Sequence, residues 1–256
     1  VSAEFIAEKL AADPRILVIR LTRPEKKNAL TAAMYHGMTE ALDAANEDPE
    51  VRAAVFLGSE GAFSAGNDLA EFIHIASNPA AAGEAPAAFF FLQALVGFDK
   101  PLLAGIDGLA VGIGTTLNFH CDLSIASSRS VFATPFVDLG LVPEAASSLL
   151  GPLTMGHQRA FALLAAGEKF SAHDAQQAGL VWKVTAPEDV ERETLAAAAR
   201  LAAKPPEALA LTRRLLRGDK TAVLSRIEEE GRHFVARLKS QEAIDAFRAF
   251  QNRRNS

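Results

Sequence analysis

Three short stretches of the chain carry residue types that fit one kind of chemistry. Glu144 stands in LVPEAASS, among apolar and small residues. An acid there has two readings. It is the ordinary first-turn acid of a helix that starts after Pro143, favoured by the helix dipole. Or it is a carboxylate in apolar surroundings whose pKa is raised toward neutrality, which suits it to moving protons. GAFSAGND (Gly61 to Asp68) and GLAVGIGTTL (Gly108 to Leu117) each place glycines after an apolar run. Such loops let a ligand approach the backbone and leave amide groups free to meet an anion. The donors would be a backbone N–H near Asn67 and the N–H of Ile113. The plain alternatives are a strand-to-helix turn capped by Asn67 or Asp68, and tight strand–helix packing behind Gly108.

Other chemistries find little support. The glycines at 108, 112 and 114 miss the G-x-G-x-x-G spacing, and no Gly-Lys-Ser/Thr follows, so a dinucleotide or triphosphate is not expected. His36, His74, His120, His157, His173 and His233 show no H-x-x-x-H spacing, so no metal is expected. Ser147 and Ser148 lack a G-x-S-x-G context. Cys121 reads as a buried small residue, and Asp122 as a structural carboxylate near a strand start.

The elements that must position these residues alternate. Arg15 to Leu21 and Val51 to Leu57 read as strands. Between them, Met34, Met38, Leu42 and Ala45 recur at helical spacing from an N-cap at Thr31 to about Asn46. GSEGAFSAGNDLAEF reads as a glycine-bearing turn into a short helix. Residues 78–88 are rich in Ala, Gly and Pro and read as a mobile loop. A helix is expected from Phe89 to Phe98. Strands are expected at Pro101 to Ile106, Leu123 to Ala126, Val131 to Phe132 and Leu180 to Val184. Helices are expected after Pro143, at 156–165 and at 172–178, and from about Ala186 the pattern is helical and strand-free. The fold class is α/β, with a core at 1–195 and a helical C-terminal region at 196–256.

The chain has 256 residues, 49% of them apolar, enough for a sizeable core. A net charge of −5 with scattered basic residues offers no nucleic-acid surface. No apolar run reaches the roughly 20 residues of a membrane span. A lone cysteine and a polar N-terminus with no signal-peptide pattern lead us to expect a cytoplasmic protein.

In combination, RPEKKNAL, GAFSAGNDL, KPLLAGIDGLAVGIGTTL, CDLSIAS, FATPFVDLGLVPEAASS and SAHDAQQAGLV resemble the crotonase (enoyl-CoA hydratase/isomerase) superfamily in order and spacing. The resemblance is strong over about residues 15–185. It implies a crotonase-like spiral of ββα units, with a C-terminal helical trimerisation region giving a homotrimer or a dimer of trimers. It implies an acyl-CoA thioester as substrate and no separate cofactor, CoA being part of the substrate. Asn67 and Ile113 would supply an oxyanion hole. CoA would lie near Lys26, Asn28, Ser64 and Ala65, with basic residues of the C-terminal helices at its phosphates.

The family's hydratases use two glutamates. At the matching positions this chain has Thr116 and Phe136. The acid that does appear, Glu144, resembles the single catalytic glutamate in the P-E-G-x-S-S stretch of peroxisomal-type Δ3,Δ2-enoyl-CoA isomerases, with Ala145 in place of the usual Gly. Phe136 and Leu141, with Thr116, would line a pocket that excludes water. The expected function is therefore isomerisation of a 3-enoyl-CoA. The alternatives are a hydratase or another crotonase-family reaction, and a thioester-binding relic without turnover.

Overall fold

The computed structural model describes residues 4–59, 61–68 and 87–255, with side chains to residue 249. Two sheets organise the chain. The larger has six strands in the order β1-β2-β3-β5-β7-β10: Phe5–Leu10, Asp13–Leu21, Ala53–Leu57, Leu102–Ile106, Leu123–Ser127 and Lys183–Thr185. The smaller holds β4, β6, β8 and β9: Ala62–Ser64, Leu109–Val111, Val131–Ala133 and Phe170–Ser171. Pairing is parallel except for β1 with β2 and β8 with β9. Three successive strand pairs, β3/β4, β5/β6 and β7/β8, each give one strand to each sheet. That repeat is the expected spiral.

The two central strands, β3 and β5, are apolar at every position because both faces of the larger sheet are covered. In β2, Leu17, Ile19 and Leu21 join the main core, while Ile16 and Val18 turn to the opposite face. There they meet Val55, Leu103 and Ile125, and Ala197, Ala198 and Ala202 of helix α7 (Val190–Ala202). This helix runs across position 195. On the main-core side lies α1 (Ala32–Glu47), whose cap is the predicted one: Thr31 Oγ1 accepts the Met34 amide at 3.3 Å. Helix α2 (Ala87–Gly97) packs beside it.

Several expectations need correction. Phe5–Leu10 is a strand where only a polar N-terminus was read; it is an edge strand, half-exposed, with no apolar run to announce it. Ala62–Ser64 and Leu109–Val111 are strands within what read as turns, because three residues are too few to show alternation. The helix after Gly112 is a single α-turn, α3 (Ile113–Thr116), followed by a 3₁₀ turn to His120. The strand placed at Leu180 begins only at Lys183, because the amides of Leu180 and Val181 fold back onto Ala175 O to close α6 (Ala172–Gln177). The short helix after Asp68 and most of the loop at 78–88 lie outside the described residues. Ala87 and Ala88 open α2.

Candidate active site

The site forms at one edge of the smaller sheet. β4, β6 and β8 are parallel neighbours, so the loops leaving their C-terminal ends emerge side by side. β4 delivers Ala65-Gly66-Asn67, β6 delivers Gly112-Ile113, and β8 delivers Thr134 to Ala146. Loops after parallel strands are where α/β folds gather their chemistry.

The first two loops touch through backbone. Gly66 (φ 89°) lies so close to the next loop that a Cβ there would meet Val111 O at 2.9 Å and Gly112 Cα at 3.9 Å. Around them the amides are engaged: Gly66 N donates to Ser64 Oγ, Asp68 N to Leu30 O, Gly112 N to Ala133 O, and Thr115 and Thr116 N to Gly112 O. Among the described residues, the amides of Asn67 and Ile113 donate to no protein acceptor. Tyr35 Oη donates to Asn67 Oδ1 at 2.5 Å, which fixes the Asn67 side chain from α1.

The loop after β8 brings Glu144 to Thr116. The Thr116 hydroxyl donates to Glu144 Oε1 at 2.5 Å. Glu144 as a whole is half-buried, but its carboxyl sits deep enough that loss of hydration pushes its pKa up to about 8. The Thr116 hydrogen bond works against that rise, and the nearby negative charge of Glu230 adds to it. A carboxyl in this state exchanges protons near neutral pH, which is the property a general base needs.

Glu144 is held by its backbone as well. Its carbonyl accepts from Ser147 N at 3.1 Å and from Ser147 Oγ at 2.6 Å. His120 Nε2 donates to Ala145 O at 2.8 Å, and burial holds the His120 pKa down at about 4, so the ring is neutral. Ala145 and Ala146 both adopt the left-handed conformation, with φ of 61° and 53°. Glu230 accepts the Ala146 amide at 2.6 Å and the Ser148 amide at 2.9 Å. His120, Tyr35 and Glu230 carried no signal in the sequence beyond residue type.

The remaining expected residues take various places. Phe136 and Leu141 are buried in the main core with Ile113, Leu117 and Ala145. Asn28 is fully buried, and its side chain spans Ala62 O, Phe63 O, the Arg23 amide and Ser59 Oγ. Ser64 Oγ donates to Asn28 O. These two side chains therefore tie the N-terminal loop to β4. Lys26 is exposed, and Ala65 is half-buried with its amide on Lys27 O. Asp122 is structural, as expected: it binds the Leu102 amide, Arg213 and Arg217. The thiol of Cys121 is pushed up to about 12 by burial. A cleft of about 370 Å³ near Trp182 has Asn118, Cys121 and Asp122 in its walls but none of Glu144, Asn67 or Ile113. Among the described residues no cluster of His, Cys, Asp or Glu could hold a metal ion, and no helix is long and apolar enough to cross a membrane.

The two-sheet spiral built from repeated strand pairs, with its loops after β4, β6 and β8 side by side, defines a class of α/β proteins. The chain belongs to the enoyl-CoA hydratase/isomerase family, whose model matches residues 12–256. Among its relatives, "Enoyl-CoA delta isomerase 2" of Rattus norvegicus is 36% identical over 93% of this chain and 62% of the relative. The Homo sapiens protein of the same name is 33% identical over 99% of this chain and 65% of its own length. The chain thus spans just under two thirds of these two relatives. "2,3-dehydroadipyl-CoA hydratase" of Escherichia coli K12 is 31% identical over 94% of this chain and 93% of that protein. The crystal structure of an enoyl-CoA hydratase/isomerase from Pseudoalteromonas atlantica T6c matches with a TM-score of 0.91 and 35% identity, over 98% of this chain and 97% of that one.

Proposed function

We propose that the chain is a Δ3,Δ2-enoyl-CoA isomerase in which Glu144 alone shuttles the proton. The observation that carries this reading is the Glu144 carboxyl on Thr116. The one side chain that reaches it from the Gly112 loop is an alcohol, where a second acid would be needed to split water. The thioester oxygen of a 3-enoyl-CoA accepts hydrogen bonds from the Asn67 and Ile113 amides. The Glu144 carboxylate takes a proton from C2, and the electron pair of that C–H bond delocalises into a dienolate over O1, C2 and C4. The same carboxyl returns the proton to C4, and the double bond comes to rest between C2 and C3. Water is neither consumed nor released. Fixed amide dipoles stabilise the developing oxyanion, one such donor being worth about 3–4 kcal/mol in other enzymes.

A second reading, hydration, is favoured by the name of the E. coli relative. It would need another acid at the reacting carbons. Phe136 cannot serve, and Glu230 has its carboxylate oxygens on two backbone amides.

No cofactor beyond the substrate's own CoA enters this scheme. The proposed CoA path passes exposed Lys26 and the backbone at Ser64 and Ala65. Association as a trimer or hexamer through residues 196–256 is supported by Leu211, Leu215 and Leu216, which are largely exposed on α8 (Pro206–Arg217).

The test is a paired assay of wild type and Glu144→Gln with a medium-chain 3-enoyl-CoA, following conjugated thioester by absorbance and identifying product by mass. Wild type should form 2-enoyl-CoA and the variant should not. A 3-hydroxyacyl-CoA as main product would replace the reading with hydration. Thioester binding without turnover or C2 exchange in heavy water would leave a binding relic.

A further inference from the structure

We infer that Glu230, delivered by the C-terminal helix α9 (Lys220–Leu238), is a positioning residue that holds Glu144 in its working place. The inference deepens the proposed function, since it rests on Glu144 being the base.

The loop that carries Glu144 is held locally by Ser147, whose amide and hydroxyl meet the Glu144 carbonyl, but its conformation is a costly one. Ala145 and Ala146 are two consecutive left-handed residues, a conformation that costs an L-residue roughly 1–2 kcal/mol each. Ala146 is also the N-cap of helix α4 (Ser147–Met155), and alanine has no side chain with which to cap. The orphan amides of that first turn are met instead by Glu230, more than 80 residues downstream. One carboxylate oxygen takes Ala146 N and the other takes Ser148 N. The two bonds bracket the turn from both sides of Ser147, whose amide and hydroxyl hold the Glu144 carbonyl. Glu230 is 5% exposed, and burial raises its pKa while the Ser148 and Ala146 amides and Arg226 work against that rise; both of its oxygens are committed to one backbone turn.

Few other charged groups meet the turn. Arg226, one helical turn before Glu230 on α9, donates to Ser148 Oγ at 3.0 Å and pairs with exposed Glu229. His120, from the 3₁₀ turn after α3, holds Ala145 O and is neutral through the working range. Thr116 of α3 meets the Glu144 carboxyl itself. Among the described residues, Glu230 in its ionised form is the negative group acting on Glu144, and it disfavours the ionised form of the base. Its backbone bonds fix position, and its charge keeps proton affinity high.

The experiment compares wild type, Glu230→Gln and Glu230→Asp as full chains, with Glu144→Gln as reference. Steady-state turnover is measured with a 3-enoyl-CoA. The Glu144 carboxyl is titrated by carbon NMR of glutamate-labelled protein and assigned through its loss in Glu144→Gln. Gln keeps one acceptor but sets an N–H₂ against the second amide. Asp keeps the charge but is one methylene too short to hold both. Glu230→Gln should lower kcat about tenfold or more with KM changed less than about threefold. It should also move the Glu144 midpoint to lower pH. Glu230→Asp should lose kcat while largely keeping that midpoint. An unchanged kcat and midpoint in folded Glu230→Gln would overturn the inference. So would loss of fold in both variants, which would make the contact a folding requirement alone. If wild type lacks isomerase activity, the functional reading fails. The titration would still show whether Glu230 sets the state of Glu144.

Discussion

The hydroxyl of Thr116 donates to Oε1 of Glu144 across 2.5 Å, joining the loop after β6 to the loop after β8. This bond has two opposed effects on a base. It orients the carboxylate, and it stabilises the charged form, so that it lowers a pKa that burial raises. Thr116→Val keeps the shape and removes the donor. We expect kcat to fall about tenfold, since hydrogen bonds to charged groups are worth roughly 1.5–3 kcal/mol. The acid limb of the pH profile should move upward. Thr116→Ser should restore both. A pH series of kcat/KM for the three proteins checks this, and an unaltered Thr116→Val profile would mean that the bond does not bear on the base.

The Glu144 pKa of about 8 fixes the shape of the wild-type profile. A carboxyl must be ionised to take a proton. Below pH 8, log kcat/KM should therefore fall with unit slope against pH, and above it the rate should level. Glu144→Asp should retain the limb at reduced height. A limb near pH 4.5 would place the base elsewhere.

The same shift acts on stability, with the opposite sense to an ion-paired acid. Between pH 4.5 and 8 the folded chain keeps the Glu144 proton while the unfolded chain has lost it. Folding then takes up a proton, and stability falls as pH rises through that window. Below 4.5 the effect vanishes, and above 8 it is complete, on the order of 5 kcal/mol at most. Glu144→Gln should match wild type in urea unfolding at pH 5 and exceed it at pH 8. Equal stabilities at both values would show that the carboxyl is not desolvated.

These expectations grow from a residue that the sequence already marked, while its support was invisible there. Glu144 stands out because a lone acid after Pro143 interrupts an apolar stretch. Thr116 and Phe136 stand out by what they replace. β2, β3, β5 and α1 were legible because long apolar runs and the spacing of Met34, Met38 and Leu42 leave few alternatives. Three-residue strands such as Ala62–Ser64 have no period to detect. Glu230 sits last in an IEEE run on an amphipathic helix, where an acid reads as solvated surface. Only packing of α9 against the start of α4 turns it inward.

Ala145 gives a test of how finely the base is held. Its left-handed φ suits glycine better, yet glycine loses more freedom on folding. The two terms are each about 1 kcal/mol and oppose one another, so Ala145→Gly should alter stability by less than about 1 kcal/mol. Because Ser147, His120 and Glu230 all hold the turn from outside, turnover should stay within about threefold. Urea midpoints and kcat together decide it. A large loss of kcat at unchanged stability would show that the alanine methyl itself shapes the site.

Gly66 tests the proposed oxyanion hole through backbone alone. Its positive φ strains any L-residue, and the added Cβ would lie 2.9 Å from Val111 O, a contact with backbone that cannot rotate away. The loops after β4 and β6 must separate, and the Asn67 amide turns with its own loop. Gly66→Ala should therefore lower kcat on the order of a hundredfold, the scale of one lost oxyanion donor, while costing about 1–3 kcal/mol of stability. Gly61 provides the control. It is left-handed too, with φ 72°, but a Cβ there meets nothing within 4 Å. Gly61→Ala carries the conformational strain without the collision, so it should cost about 1 kcal/mol and leave kcat unchanged. Equal kcat losses in the two variants would mean that strain in the β4 region, rather than the aim of the Asn67 amide, governs turnover.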